Sequence, residues 1–199
     1  MKKLLVLGTL FFIFNGCSLP KPAIGEYRLS PSVTLQIDAK GSCANSSLKV
    51  LQADGLASMM SLRMHYRQGD NREHIYNESQ WSDSIAQMVA REFERSIREA
   101  ALFESVQGAK SRASSDYVLE INIEEFIQSF DEKLQSSHAL VSLTLTLINT
   151  KENRVERQKS FSANVEAKTL DARGGVEALN RAMTQILGSA LIWLEGACG

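Results

Sequence analysis

Chemistry needs polar side chains brought to one place, and this sequence offers few groups of them. Glu120, Glu124 and Glu125 are the densest carboxylate cluster; on a strand, Glu120 and Glu124 share one face, two pleats apart. Two carboxylates so placed are the residue types of general acid–base work. The water-facing side of a half-buried strand has the same spacing, and that is the reading adopted. His65 and His74 flank a hairpin-like stretch with Glu73 beside His74, and facing each other across it they would offer metal ligands. Ordinary surface histidines on strands account for them more simply, so no metal site is assigned. His138 stands among serines, with no nucleophile or acid beside it. Gly-x-Gly-x-x-Gly, Walker, Gly-x-Ser-x-Gly and His-Glu-x-x-His patterns do not occur. No catalytic residue, cofactor or enzymatic activity is expected.

The three cysteines are more informative. Cys17 follows Lys2-Lys3, an apolar run from Leu4 to Phe14, and Asn15-Gly16. A basic start, a short apolar run and small residues make a secretory signal over 1–16; the run is too short to span a bilayer. Asn15-Gly16-Cys17 resembles a bacterial lipobox, with Phe14 where such signals usually carry Leu. A thiolate is the nucleophile that takes the lipid, so Cys17 is read as the attachment site. Ser18 in place of Asp favours an outer-membrane lipoprotein, palmitate-type acyl chains holding it to the periplasmic face; an inner-membrane location stays open. Residues 17–25 form a tether, stiffened by Pro20 and Pro22 and extended at roughly 3 Å per residue. Cys43 and Cys198 remain. In an oxidising compartment two leftover cysteines favour a disulfide over two free thiols. That bridge would close a loop of about 155 residues and stabilise by roughly 4–5 kcal/mol in the chain-entropy model.

The elements that must position these residues follow from hydrophobic period. The chain has 199 residues, 44% hydrophobic and 23% charged, with a formal charge of -1. That is ordinary for one globular domain, here 26–199, and lacks the basic excess of a nucleic-acid binder. Strands are predicted at Glu26–Leu29, Val33–Asp38 and Leu48–Leu51, with a polar turn over 41–47. A hairpin over Ser61–Arg67 and Glu73–Tyr76 turns at Gly69-Asp70-Asn71. Ile85, Met88, Val89, Phe93 and Ile97 recur at helical spacing, with Ser82 or Ser84 to cap and Gln87 placed for a capping box with Ser84. Gly108 to Ser115 marks the helix exit. Three alternating strands follow, through Leu119–Ile123, Val141–Leu147 and Val155–Val165, with a polar link over 131–138. The last helix carries Val176, Leu179, Met183, Ile186, Leu187, Leu191 and Leu194 on one stripe. Asp171 caps it, and Gly174-Gly175 reads as a weak point in its first turns. The order predicts an α+β domain: an antiparallel β-sheet with two amphipathic helices packed on one face. Tyr76 and Trp81 precede the first helix, where they would staple its entry or anchor a partner; Trp193 would cover the sheet edge or face a neighbouring subunit.

The order of these pieces resembles the ABC-type transport auxiliary lipoproteins. The resemblance rests on the lipobox, Tyr27-Arg28-Leu29, Leu48-Lys49-Val50 and the segment Tyr76-Asn77-Glu78-Ser79-Gln80-Trp81 before a helix. It extends to Asp116-Tyr117-Val118-Leu119-Glu120-Ile121 and the closing Ala178–Met183 helix; Cys43 and Cys198 are not a general family feature. The resemblance implies a non-enzymatic accessory subunit. It would be bound to the membrane by its N-terminal acyl chains and work with an MCE-domain protein and the permease and ATPase of an ABC transporter. Such systems move phospholipids or other hydrophobic molecules. A free-standing envelope assembly lipoprotein with an unrelated partner, and a hydrolase acting on envelope substrates, are the competing readings; a homo-oligomer stays open.

Overall fold

The computed structural model describes residues 23–33 and 42–198. The signal segment, Cys17, the tether through residue 22 and most of the strand predicted at Val33–Asp38 lie outside them. Among the described residues the strands are β1 (Gly25–Tyr27), β2 (Ser47–Val50), β3 (Asp54–Gly55), β4 (Arg63–Gln68), β5 (Arg72–Trp81), β6 (Ser105–Gly108), β7 (Tyr117–Phe130), β8 (Ser137–Asn149) and β9 (Arg154–Glu166). The helices are α1 (Ile85–Glu99) and α2 (Ala172–Glu195), and a 3-10 turn at Ala57–Met60 joins β3 to β4.

Strict alternation builds the centre of the sheet. Leu119, Ile121 and Ile123 of β7 lie opposite Leu147, Leu145 and Leu143 of β8, and Leu143 lies opposite Phe161 of β9. Residues two apart share a face, so one face of this antiparallel meander is apolar and buried. α2 covers it over β8 and β9, α1 covers it over β2 and β6, and the helices touch each other. The opposite face carries Glu120, Asn122, Ser142, Thr144 and Thr146 toward water. The buried side chains form one core cluster that joins both helices to the sheet.

The sheet is mixed, which corrects the expectation of a purely antiparallel one. The second edge of β7 takes β2, β3 and β4 in turn, all parallel to it. β6 is parallel to β2 and β1 to β5, while β4 and β5 form the antiparallel hairpin. Alternation states which face a side chain takes, but it carries no information on a neighbour's direction. Direction is set by the connections: β2, β3 and β4 follow one another along β7, the hairpin reverses the chain in β5, and after α1 the chain enters β6 antiparallel to β5 and parallel to β2. β5 runs on to Trp81, five residues beyond the strand predicted to end at Tyr76. β6, which the period did not reveal, lies between α1 and the exit stretch that begins at Gly108, and the β7–β8 link is shorter than predicted because Ser137 and His138 already pair in β8.

Both helix caps are made. Ser84 Oγ accepts from the Gln87 N–H at 3.3 Å, although the Ser84 N–H donates to Asp83 Oδ1 at 2.7 Å, so the reciprocal half of the capping box is absent. Asp171 Oδ1 accepts from the Gly174 N–H at 2.8 Å. The segment after β1 then lies across the helices. The N–H of Ser30 donates to Asn180 Oδ1 at 2.7 Å, and Arg95 donates to the Pro31 carbonyl at 3.0 Å. Leu29 is buried beneath this strap. Cys43 and Cys198 are bonded, with Cα atoms 5.0 Å apart across a sequence separation of 155. The bond ties the chain entering β2 to the end of α2.

Candidate interaction site

The carboxylates flagged in the sequence are structural acceptors. A bulge between Ile123 and Glu125 makes Glu124 the extra residue of β7. Glu124 accepts from Thr144 Oγ1 at 2.6 Å and Ser142 Oγ at 2.7 Å. These hydrogen bonds, Thr144 first, hold its carboxyl below the usual range. A general acid at neutral pH needs the opposite shift. Glu125 instead meets Arg67 at 2.6 Å, and Glu120 stands exposed on the open face.

The histidines are separated by register. His65 lies opposite Ile75, and Tyr66 lies opposite His74. Because consecutive residues alternate, His65 and His74 occupy opposite faces of the hairpin and cannot share a ligand. His65 Nδ1 is 3.8 Å from Glu73 Oε2. His74 stacks on Tyr66 at 5.2 Å between ring centroids, and Tyr66 also meets Tyr76 and Phe130. His138 is exposed in β8, opposite Ser129 and Glu166.

Two of the three aromatic partner anchors named from the sequence are structural instead. Trp81 is 2% exposed and packs edge-on against Phe126. It cannot reach a partner, because β5 continues through it and turns the indole into the core. Tyr76 is half-buried, and its hydroxyl donates to Gln128 Oε1 at 2.9 Å. Burial, then the nearby Tyr66 and Asp171, raises its pKa well above the ordinary value. Gln128 in turn donates to Ser137 Oγ at 2.9 Å. Trp193 meets Phe161 edge-to-face at 5.9 Å and so covers the β9 edge strand.

This buried bridge of Tyr76, Gln128 and Ser137 explains Gly175 in the first turn of α2, and Thr169 explains Gly174 beside it. A Cβ on Gly174 would lie 2.2 Å from the Thr169 carbonyl oxygen, and one on Gly175 would lie 2.0 Å from Gln128 Oε1. They are close-approach positions, not weak points: the first turn of α2 sits directly on the polar bridge. Sequence reasoning missed Gln128 and Ser137, and the adjacent Gly-Gly in a helix start was the available signal.

Among the described residues the surface offers several depressions with partly apolar linings. One of about 200 Å³ lies between the 3-10 turn, the hairpin and β7. Leu56, Met59, Phe126 and Ile127 form its apolar side; the His65–Glu73 and Arg67–Glu125 pairs rim it. Another, of about 250 Å³, lies between α1 and β6 over Val50, Leu51 and Ala90, with Arg91, Glu94 and Lys110 around it. These two fall below the roughly 300 Å³ at which compact ligand pockets begin; open depressions of about 310 Å³ beside Leu29 and Met88, and of about 450 Å³ over Leu51, Glu120 and Asn122, exceed it. Among the described residues no group of three or more His, Cys, Asp and Glu could hold a metal ion, and no helix is long and apolar enough to cross a membrane.

The chain is thus an α+β domain with a mixed sheet, helices on one face, and apolar depressions rimmed by charge. It belongs to the ABC-type transport auxiliary lipoprotein components: the model of that family matches residues 27–189. Protein XCC0632 from Xanthomonas campestris, of the family designated DUF330, superposes with a TM-score of 0.75 at 18% identity, over 87% of this chain and 94% of that one. An uncharacterized protein superposes with a TM-score of 0.66 at 13% identity, over 86% of this chain and 99% of that one. At these identities the likeness shows the fold. No curated protein matches the chain by sequence.

Proposed function

We propose that this auxiliary lipoprotein is a non-enzymatic accessory subunit of an ABC transporter that works with an MCE-domain protein. In this reading the system moves phospholipids or other hydrophobic molecules across the cell envelope. Acyl chains on Cys17 hold the protein to the outer membrane after removal of 1–16, and a short tether presents the periplasmic domain. Family membership across residues 27–189 carries the reading. The chemistry of the polar groups supports it: Glu124 is held ionised by hydroxyl donors, Glu125 pairs with Arg67, and the histidines are on opposite faces. Such groups stabilise a docking domain and leave the transport chemistry to the ATPase.

Photo-crosslinking in intact cells tests it, with probes at Gln87 and Lys110 beside the α1 depression and at Ile192 on α2. Co-purification of an MCE-domain protein with an ABC permease is the expected result, and the reactive positions then map the docking surface. Capture of an unrelated envelope complex, with both of those missing, would refute the proposal and favour an assembly lipoprotein. Cys17→Ser should release the protein from membranes; continued sedimentation with them would remove the anchor from the reading.

A further inference from the structure

Exposed aliphatic side chains gather where the chain enters the domain. Ile24, just before β1, is 48% exposed. Gly25 lies beside Ser79 and Tyr27 beside Trp81. On the other side of β5, the Trp81 N–H donates to the Leu62 carbonyl at 2.8 Å. Leu62 is therefore level with Trp81 and with Tyr27, two strand spacings or about 10 Å away, and Ile24 lies three residues further along that edge, about 14 Å from Leu62. Leu62 is 45% exposed, and the preceding 3-10 turn adds Met60 at 40% and Leu56 at 59%. Arg28 and Arg63 are exposed beside them and join none of the ion pairs among the described residues.

The length of the tether says what lies opposite this edge. Cys17 and Gly25 are eight peptide steps apart, so even a fully extended chain spans at most about 29 Å. A bilayer holding the acyl chains is always within reach of β1. Aliphatic side chains can enter the boundary between headgroups and acyl chains, while arginine stems run beside them and leave the guanidinium at phosphate level. We infer that this edge, with Ile24, Leu56, Met60 and Leu62 flanked by Arg28 and Arg63, rests on the phospholipid surface that holds the anchor. The acyl chains then supply attachment and the patch supplies orientation: the β1–β5–β4 side faces the bilayer, and β9, at the opposite edge of the sheet, faces away. This rests on the Cys17 anchor proposed above.

The test uses the full-length lipidated protein in vesicles of phosphatidylethanolamine with phosphatidylglycerol, prepared with plain or bromine-substituted acyl chains. Leu62→Trp and, separately, Met60→Trp place a reporter in the patch, and Val155→Trp, 55% exposed on β9, places one at the far edge. Bromine should quench the added fluorescence of the two patch reporters by at least about twofold and leave that of Val155→Trp unchanged, as interfacial burial requires. Equal quenching at both edges, or none in the patch, overturns the inference. A blue-shifted patch reporter that bromine does not quench also overturns it, because a second copy or another protein then covers the patch. Flotation separates the two failures. If the wild type floats with vesicles while the patch stays unquenched, orientation alone fails; if it does not float, the anchor fails and the inference with it.

Discussion

Replacing Gly175 by alanine ordinarily favours a helix by about 1 kcal/mol. In this fold the new Cβ would lie 2.0 Å from Gln128 Oε1, 2.6 Å from its Cδ and 3.3 Å from its Cβ. Gln128 is 2% exposed and holds two hydrogen bonds of 2.9 Å, from the Tyr76 hydroxyl and to Ser137 Oγ. The far end of a glutamine can swing, but here swinging breaks both bonds in a site closed to water. Each lost bond costs about 1 kcal/mol net, and each buried group left without a partner costs about 1–3 kcal/mol. These losses outweigh the propensity gain, and Gly175→Ala should destabilise by about 2–4 kcal/mol. Urea unfolding followed by circular dichroism would show a lower midpoint with an unchanged m-value. Gln128→Ala removes the obstacle, so Gly175→Ala should cost far less in that background, a coupling of about 2 kcal/mol or more in a double-mutant cycle. A single variant as stable as the wild type, with no coupling to Gln128, would refute the claim that this bridge seats the first turn of α2.

Three further outcomes follow from other parts of the fold. Cys43→Ala with Cys198→Ala opens a loop closed over a separation of 155 residues and should cost about 5 kcal/mol by the chain-entropy relation; reduction of the wild type should lower Tm comparably, and equal Tm values in both redox states would contradict it. Trp81→Ala should cost about 3–5 kcal/mol as a buried truncation, whereas Trp193→Ala, at the sheet edge, should cost less than half as much in the same denaturation assay. Asp116 has its carboxyl held well below the usual range, first by Lys151 at 2.8 Å and then by Ser47. A depressed folded-state pKa stabilises above the unfolded value, about 3.9, and that stability fades as pH falls below it toward the folded value. Asp116→Asn should therefore lower Tm at pH 6, and the gap should begin to narrow only as pH falls from about 4 toward 2; a gap that stays constant across that window would count against the assignment.

Much of the architecture was legible because one-dimensional period reports on burial. The alternation of Leu119, Ile121 and Ile123, and the helical recurrence of Met88, Val89, Phe93 and Ile97, specify which side chains leave water and hence the element types. The caps Ser84 and Asp171 and the turn at Gly69 are local signals of the same kind. The site residues were less legible. Tyr76 and Trp81 carry the residue types of an interface, and no local pattern says whether an aromatic ring faces a partner or its own core. Only the path of β5 beside β1 and β4 decides that Trp81 is internal.

What the sequence alone determined, then, is what depends on neighbours within a few positions: helix faces, strand faces and caps. The tertiary structure decided whatever depends on residues far apart in the chain. It made the sheet mixed, because strand direction is set by crossover connections and not by alternation. It put His65 and His74 on opposite faces, because register across the hairpin governs which residues meet. It turned Gly174 and Gly175 from breakers into contact points, because Thr169 and Gln128 arrive there from outside the helix. And it brought Ile24 within two strands of Leu62, an adjacency that no spacing in the sequence encodes, because hydrogen bonds on both sides of β5 alone create it.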